Sequence, residues 1–99
     1  MKINNVEYTT PALTFANLCR LEDWGLVISD MAKRPLGFLA AFVALAIDGD
    51  LEAGKAAIEQ HIQSGGTIDA ISDELSQAVD NSGFFKMENQ TKEEKKISA

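Results

Sequence analysis

The chain has little of what covalent chemistry requires. Its 99 residues include one cysteine (Cys19), one histidine (His61), one tryptophan, one tyrosine and two prolines. A lone cysteine excludes an intramolecular disulfide and a four-thiolate metal site, and it suits a reducing compartment. Cations are scarce too: residues 1–85 carry five Lys/Arg (Lys2, Arg20, Lys33, Arg34 and Lys55) against twelve Asp/Glu. So acidic a domain repels phosphate backbones and anionic bilayers, and neither nucleic acid nor a membrane is an expected partner. Met1-Lys2-Ile3-Asn4-Asn5-Val6-Glu7 lacks the apolar core of a signal peptide. No apolar run approaches the roughly 20 residues that a bilayer-spanning helix needs. The expectation is a protein that remains in the cytoplasm of the cell that makes it.

What the sequence does have is one unbroken apolar stretch. From Leu36 to Ile47 twelve residues pass without a charge or a hydrogen-bonding side chain. At helical spacing Leu36, Leu39, Ala40, Val43 and Ile47 share one face, and Phe38, Phe42 and Leu45 fall roughly opposite. One face serves the core, and the expectation is that the other serves a partner. Leaving Phe38, Phe42 and Leu45 in water would forgo roughly 1.5–3 kcal/mol each, a sum comparable with the stability of a small domain, about 5–15 kcal/mol. Phe38, Phe42 and Leu45 are therefore the candidate interface residues, and a homo-oligomer is expected through them.

Around this stretch the punctuation predicts a mainly α domain of four to five helices with a short N-terminal β-hairpin. Asn4-Asn5 tolerates the positive φ of a tight turn between Lys2-Ile3 and Val6 to Thr9. Phe15, Leu18 and Leu21 recur at helical intervals up to a stop near Trp24-Gly25, and Leu26 to Met31 suggests a short second helix. Pro35 suits the first position of the apolar helix, which Asp48-Gly49 ends. Asp50 can cap a helix reaching about Ser64, with Gly65-Gly66 as its stop, and Thr67 can cap another reaching about Ser82. After Phe84-Phe85 the composition turns to dense charge, which divides the chain into a domain over 1–86 and a tail over 87–99 expected to be disordered.

No constellation of acid, base and nucleophile is legible. His61 falls in the last turn of its helix, where a structural role is expected. Cys19 has no base beside it in sequence, and a buried inert thiol is the plainer reading. Asp48-Gly49-Asp50 lacks the remaining ligand positions of a calcium loop, and Gly65-Gly66 lacks those of a phosphate loop. No enzyme activity, cofactor or metal is expected. Trp24 can close a small core as a lid, and one of Phe84 and Phe85 can fold back on the last helix turn while the other points outward. All three join the candidate interface.

The order of these features resembles a known family. A short ribbon with Glu7-Tyr8, then Phe15-Ala16-Asn17-Leu18-Cys19-Arg20-Leu21-Glu22, an apolar middle helix, an acidic helix pair and Asn81-Ser82-Gly83-Phe84-Phe85 before a charged tail is similar to the tail assembly chaperones of long-tailed bacteriophages and prophages. The resemblance implies a non-enzymatic protein of the host cytoplasm. It would coat the apolar helical tape measure protein, keep it soluble, assist the tail tube protein to polymerise around it, and be absent from the mature virion. It also implies that a longer frameshifted form can exist, to which Glu93-Glu94-Lys95-Lys96 would mark the junction. The alternative is a small structural tail or connector subunit that stays in the particle, and a third reading is an acidic regulator of a host protein.

The tail's composition yields a direct test. Met87 and Ile97 are the only large apolar side chains after Lys86, so truncation there should leave the thermal midpoint nearly unchanged. A loss of several degrees would show that the tail packs.

Overall fold

The computed structural model describes residues 1–82, a two-stranded hairpin followed by four α-helices. β1 (Lys2–Ile3) pairs antiparallel with β2 (Val6–Glu7), in the register Lys2 to Glu7 and Ile3 to Val6. Asn4 and Asn5 hold φ of 52° and 66°, the left-handed pair that a two-residue hairpin turn demands. The Met1 ammonium closes the open end, donating to the Tyr8 carbonyl at 2.7 Å and lying 2.8 Å from a Glu7 carboxylate oxygen. Bonding to that ammonium holds the Glu7 carboxyl below its ordinary range. What the pair adds is present at neutral pH and lost as acid titrates Glu7 through its lowered value, and full exposure keeps it small.

α1 (Phe15–Asp23) starts at Thr14, whose hydroxyl accepts from the Asn17 amide at 3.2 Å. Beyond Trp24 the expected second helix shrinks to a single 3-10 turn over Ile28–Asp30. α2 (Pro35–Ile47) begins with its proline and ends at Asp48, which takes the left-handed conformation itself. α3 (Leu51–Gln63) is capped by Asp50, whose carboxylate accepts from the Ala53 amide at 2.8 Å. α4 (Asp69–Asn81) starts after Ile68 with no side-chain cap. Thr67 therefore does not cap it, since the cap position falls one residue later, on Ile68, whose side chain has no acceptor.

The other three helices pack around α2, and Ile3 of β1 joins its core. Seven consecutive residues of α2, Phe38 to Ala44, are buried. Five of them are divided between two clusters, and Ala40 and Ala44 face α3. The first joins Leu39, Phe42 and Val43 to Ile3, Leu13, Leu18, Ile71 and Ala78. The second joins Phe38 and Ala41 to Leu21 and Leu26, with Trp24, Met31, Leu45 and Leu51 packed against it. A helix apolar on all sides is the expected solution for the axis of a core.

The closest approach is between α2 and α3. A β-carbon on Gly54 would overlap the Ala40 carbonyl oxygen and lie 3.0 Å from both the β-carbon and the amide nitrogen of Ala44. Only glycine permits that separation. Gly54→Ala gains about 1 kcal/mol of helix propensity, but forcing the helices apart costs about 1–3 kcal/mol or more. The melting midpoint should fall by several degrees, each kcal/mol being worth about 4–8 °C in a domain of this size. A midpoint at or above the parent's would show that the helices separate freely.

Candidate partner-binding surface

The interface expected at the apolar helix is not a surface. Phe38 and Phe42 are each 1% exposed, enclosed by the chain's own residues, and Leu45 is half-buried against the second cluster. The face opposite Leu39 and Val43 is closed by Leu21, Leu26, Trp24 and Met31, supplied by α1 and the segment that follows it. With that face filled, the ground for self-association through Phe38, Phe42 and Leu45 is removed. Trp24 is half-buried on the same cluster and carries the Arg20 guanidinium 5.5 Å from its ring centre. That cation–π contact covers one side of the indole. Phe84 and Phe85 lie outside the described residues, as does the tail.

The apolar side chains that do face water are others. Phe15 is 73% exposed and Leu36 69%, with Ile62, Val6 and Val27 near one half. Phe15 shares the helical spacing of Leu18 and Leu21 but faces water, and Leu13, just before the helix, joins Leu18 in the core instead. Leu36 stands at the second position of α2, ahead of the buried stretch. The signal for both was positional: the first turn of a helix projects beyond the elements packed on its middle.

A second concave feature lies between the segment Thr10 to Thr14 and the C-terminal half of α4. This cleft of about 500 Å³ is lined chiefly by Pro11, Leu13, Glu74, Gln77, Ala78 and Asn81. Thr10 donates to the Glu74 carboxylate at 3.2 Å and the Ser82 hydroxyl donates to the Leu13 carbonyl at 3.4 Å, which tethers both ends of the segment to α4. An apolar floor with amide and carboxylate rims can seat a side chain of a partner.

His61 is occupied structurally. Its Nδ1 accepts from the Asn4 backbone amide at 2.8 Å, and its Nε2 lies 3.0 Å from the Thr67 carbonyl. Those partners fix the neutral tautomer with the proton on Nε2. Around it the Asn4 side chain donates to Gln60 at 3.3 Å and accepts from the Ser64 hydroxyl at 3.0 Å. A β-carbon on Gly66 would fall 2.6 Å from the ring's Cε1, so the turn after α3 must be bare of side chain there. Cys19 is a partly buried free thiol. Among the described residues no group of three or more His, Cys, Asp or Glu could hold a metal ion, and no helix is long and apolar enough to cross a membrane.

Compared with protein-family models, with curated proteins and with solved structures, the chain finds no match in any of the three.

The histidine clasp gives a local prediction. His61→Ala should speed hydrogen exchange of the Asn4 amide by at least about tenfold, because that amide loses its acceptor while the hairpin strands persist. Ring nitrogen chemical shifts of the parent at neutral pH should report a proton on Nε2. A protected Asn4 amide in the variant would show that the bond does not form in solution.

Proposed function

We propose that this protein is a non-enzymatic tail assembly chaperone of a long-tailed bacteriophage or prophage. It acts in the host cytoplasm, binds the apolar helical tape measure protein, keeps it soluble, assists the tail tube protein to assemble around it, and leaves before the virion is complete. The observation that carries this reading is the exposure of Phe15 and Leu36 on a small domain whose remaining surface is strongly acidic. The order of ribbon, helices and terminal aromatic pair in the sequence supports it. Full burial of a large apolar side chain is worth about 1.5–3 kcal/mol, so two such anchors per copy give weak individual contacts once association entropy is subtracted. A long helical partner offers many such contacts, and a coat of several copies draws its strength from their number. The acidic surface keeps the coated assembly apart from its neighbours.

Co-expression with the long helical protein of the same phage gene cluster tests the reading. The partner should move from the insoluble to the soluble fraction and co-purify, and the double variant Phe15→Ser, Leu36→Ser should retain its fold but release the partner. A partner that stays insoluble at matched expression would overturn the proposal. Stoichiometric presence of this chain in purified virions would instead support a structural subunit.

A further inference from the structure

The connection between α1 and α2 differs in charge from the rest of the molecule. Residues 20–36 hold Arg20, Lys33 and Arg34 together with Glu22, Asp23 and Asp30, whereas the remainder of residues 1–82 holds Lys2 and Lys55 against nine carboxylates. Among the described residues the ion pairs are Met1 with Glu7 and Lys55 with Glu52, so these three cations are in neither. The same stretch carries two of the five exposed large apolar side chains among the described residues, Leu36 at 69% and Val27 at 47%. They belong to one region. Leu26 and Gly37, their chain neighbours, approach each other across the fold, so that a β-carbon added at Gly37 would lie 3.3 Å from Leu26 Cδ2. Arg34 is drawn to the same place, its Nη1 donating to the Gly25 carbonyl at 3.2 Å.

We infer that Val27 and Leu36, with Lys33 and Arg34 beside them, form a docking surface for an acidic amphipathic helix of a partner protein. The occupant follows from charge complementarity. A carboxylate-bearing helix is repelled by the carboxylates of the remainder and meets two adjacent cations here, Lys33 and Arg34, next to the apolar side chains that its own apolar stripe can cover, whereas Lys55 is already paired with Glu52. A cationic helix would be drawn to the nine carboxylates of the remainder and repelled by Lys33 and Arg34 beside Leu36. The inference rests on the reading of the protein as a partner-binding module and specifies which segment of the partner it holds: one whose apolar stripe is flanked by Glu or Asp.

The test uses the full chain and a fluorescein-labelled helical peptide of Leu, Ala and Glu, beside a counterpart with every Glu replaced by Lys. Fluorescence anisotropy should show the Glu peptide binding, with affinity falling as salt rises. Lys33→Glu with Arg34→Glu should weaken it at least about tenfold, and Leu36→Ser by a similar factor. Lys55→Glu, the same kind of charge change on α3, should alter affinity by less than about twofold per charge. Equal or tighter binding of the Lys peptide overturns the inference, as does an unaltered affinity in the charge-reversed variant or an equal loss with Lys55→Glu. Circular dichroism of each variant confirms that the fold persists, since every substituted side chain is exposed. The co-expression experiment separates this inference from the functional reading. If the peptide fails to bind while the tape measure protein is still made soluble, the chaperone reading stands and this docking surface falls. If the peptide binds as described while co-expression fails, the surface stands and serves a different partner.

Discussion

The fold depends on how close α3 can come to α2. At Gly54 the backbone of α3 lies against the Ala40 carbonyl and Ala44, and a single β-carbon would fill the space between them. That contact lets a short helix be wrapped on all sides by so small a chain. Ala40 and Ala44 supply a thin face for α3, while Phe38, Leu39, Phe42 and Val43 reach outward to α1, α4 and the hairpin. Substituting larger residues on the thin side would need more chain to enclose the helix than this domain has. Burying Phe38, Leu39, Phe42 and Val43 contributes about 1.5–3 kcal/mol each, which is large beside the net stability of a domain, about 5–15 kcal/mol. Small residues on one side of α2 thus make possible the energy gained on the other.

The second constraint is polar and joins the N-terminal hairpin to the end of α3 and the turn that follows it. The hairpin is too short to stand alone, and Ile3 anchors it in the core with 1% exposure. His61 then fixes its turn, linking Asn4 to Thr67 through its two ring nitrogens. A hydrogen bond across 57 residues of sequence closes a large loop, and it does so only with the ring in one tautomer and Gly66 unencumbered. The Asn4 amide is displayed by the left-handed turn, so turn chemistry and histidine geometry are parts of one device. Sequence spacing alone assigned His61 to a helix end, which is correct, but the partner lay too far away in the chain to be read.

Local signals were legible because their physics is local. Asn4-Asn5, Pro35 and Asp50 act within a few residues of themselves, and the hairpin turn and the starts of α2 and α3 fall where those residues place them. The failures were tertiary. Thr67 had the chemistry of a helix cap, yet the His61 ring engages its carbonyl and the helix begins after Ile68 without one. Phe38 and Phe42 had the spacing of a second apolar face, but periodicity records which side chains avoid water, not whether the same chain or another molecule excludes it. The segment from Leu26 to Met31 had enough apolar residues for a helix and instead spends Leu26 and Met31 covering Phe38. A segment that must close over a core while turning back toward Pro35 has no length left for regular helix beyond one tight turn.

Moving the exposed apolar side chains from the faces of α2 to the helix beginnings changes what kind of binding module the chain can be. A free helical face would offer one broad groove whose loss on partner release would leave a large apolar surface in water, and such a protein would aggregate when idle. Leu36 and Phe15, by contrast, stand at the first turns of α2 and α1, ahead of the buried middle of each helix. Small separate anchors bind weakly, release readily and leave the free protein with little to hide. Their strength as a set depends on repetition along the partner or on charges placed beside them. The segment leading into α2 meets the second condition with Lys33 and Arg34 preceding Leu36, and the buried middle of the same helix holds that segment in place without taking part in the contact.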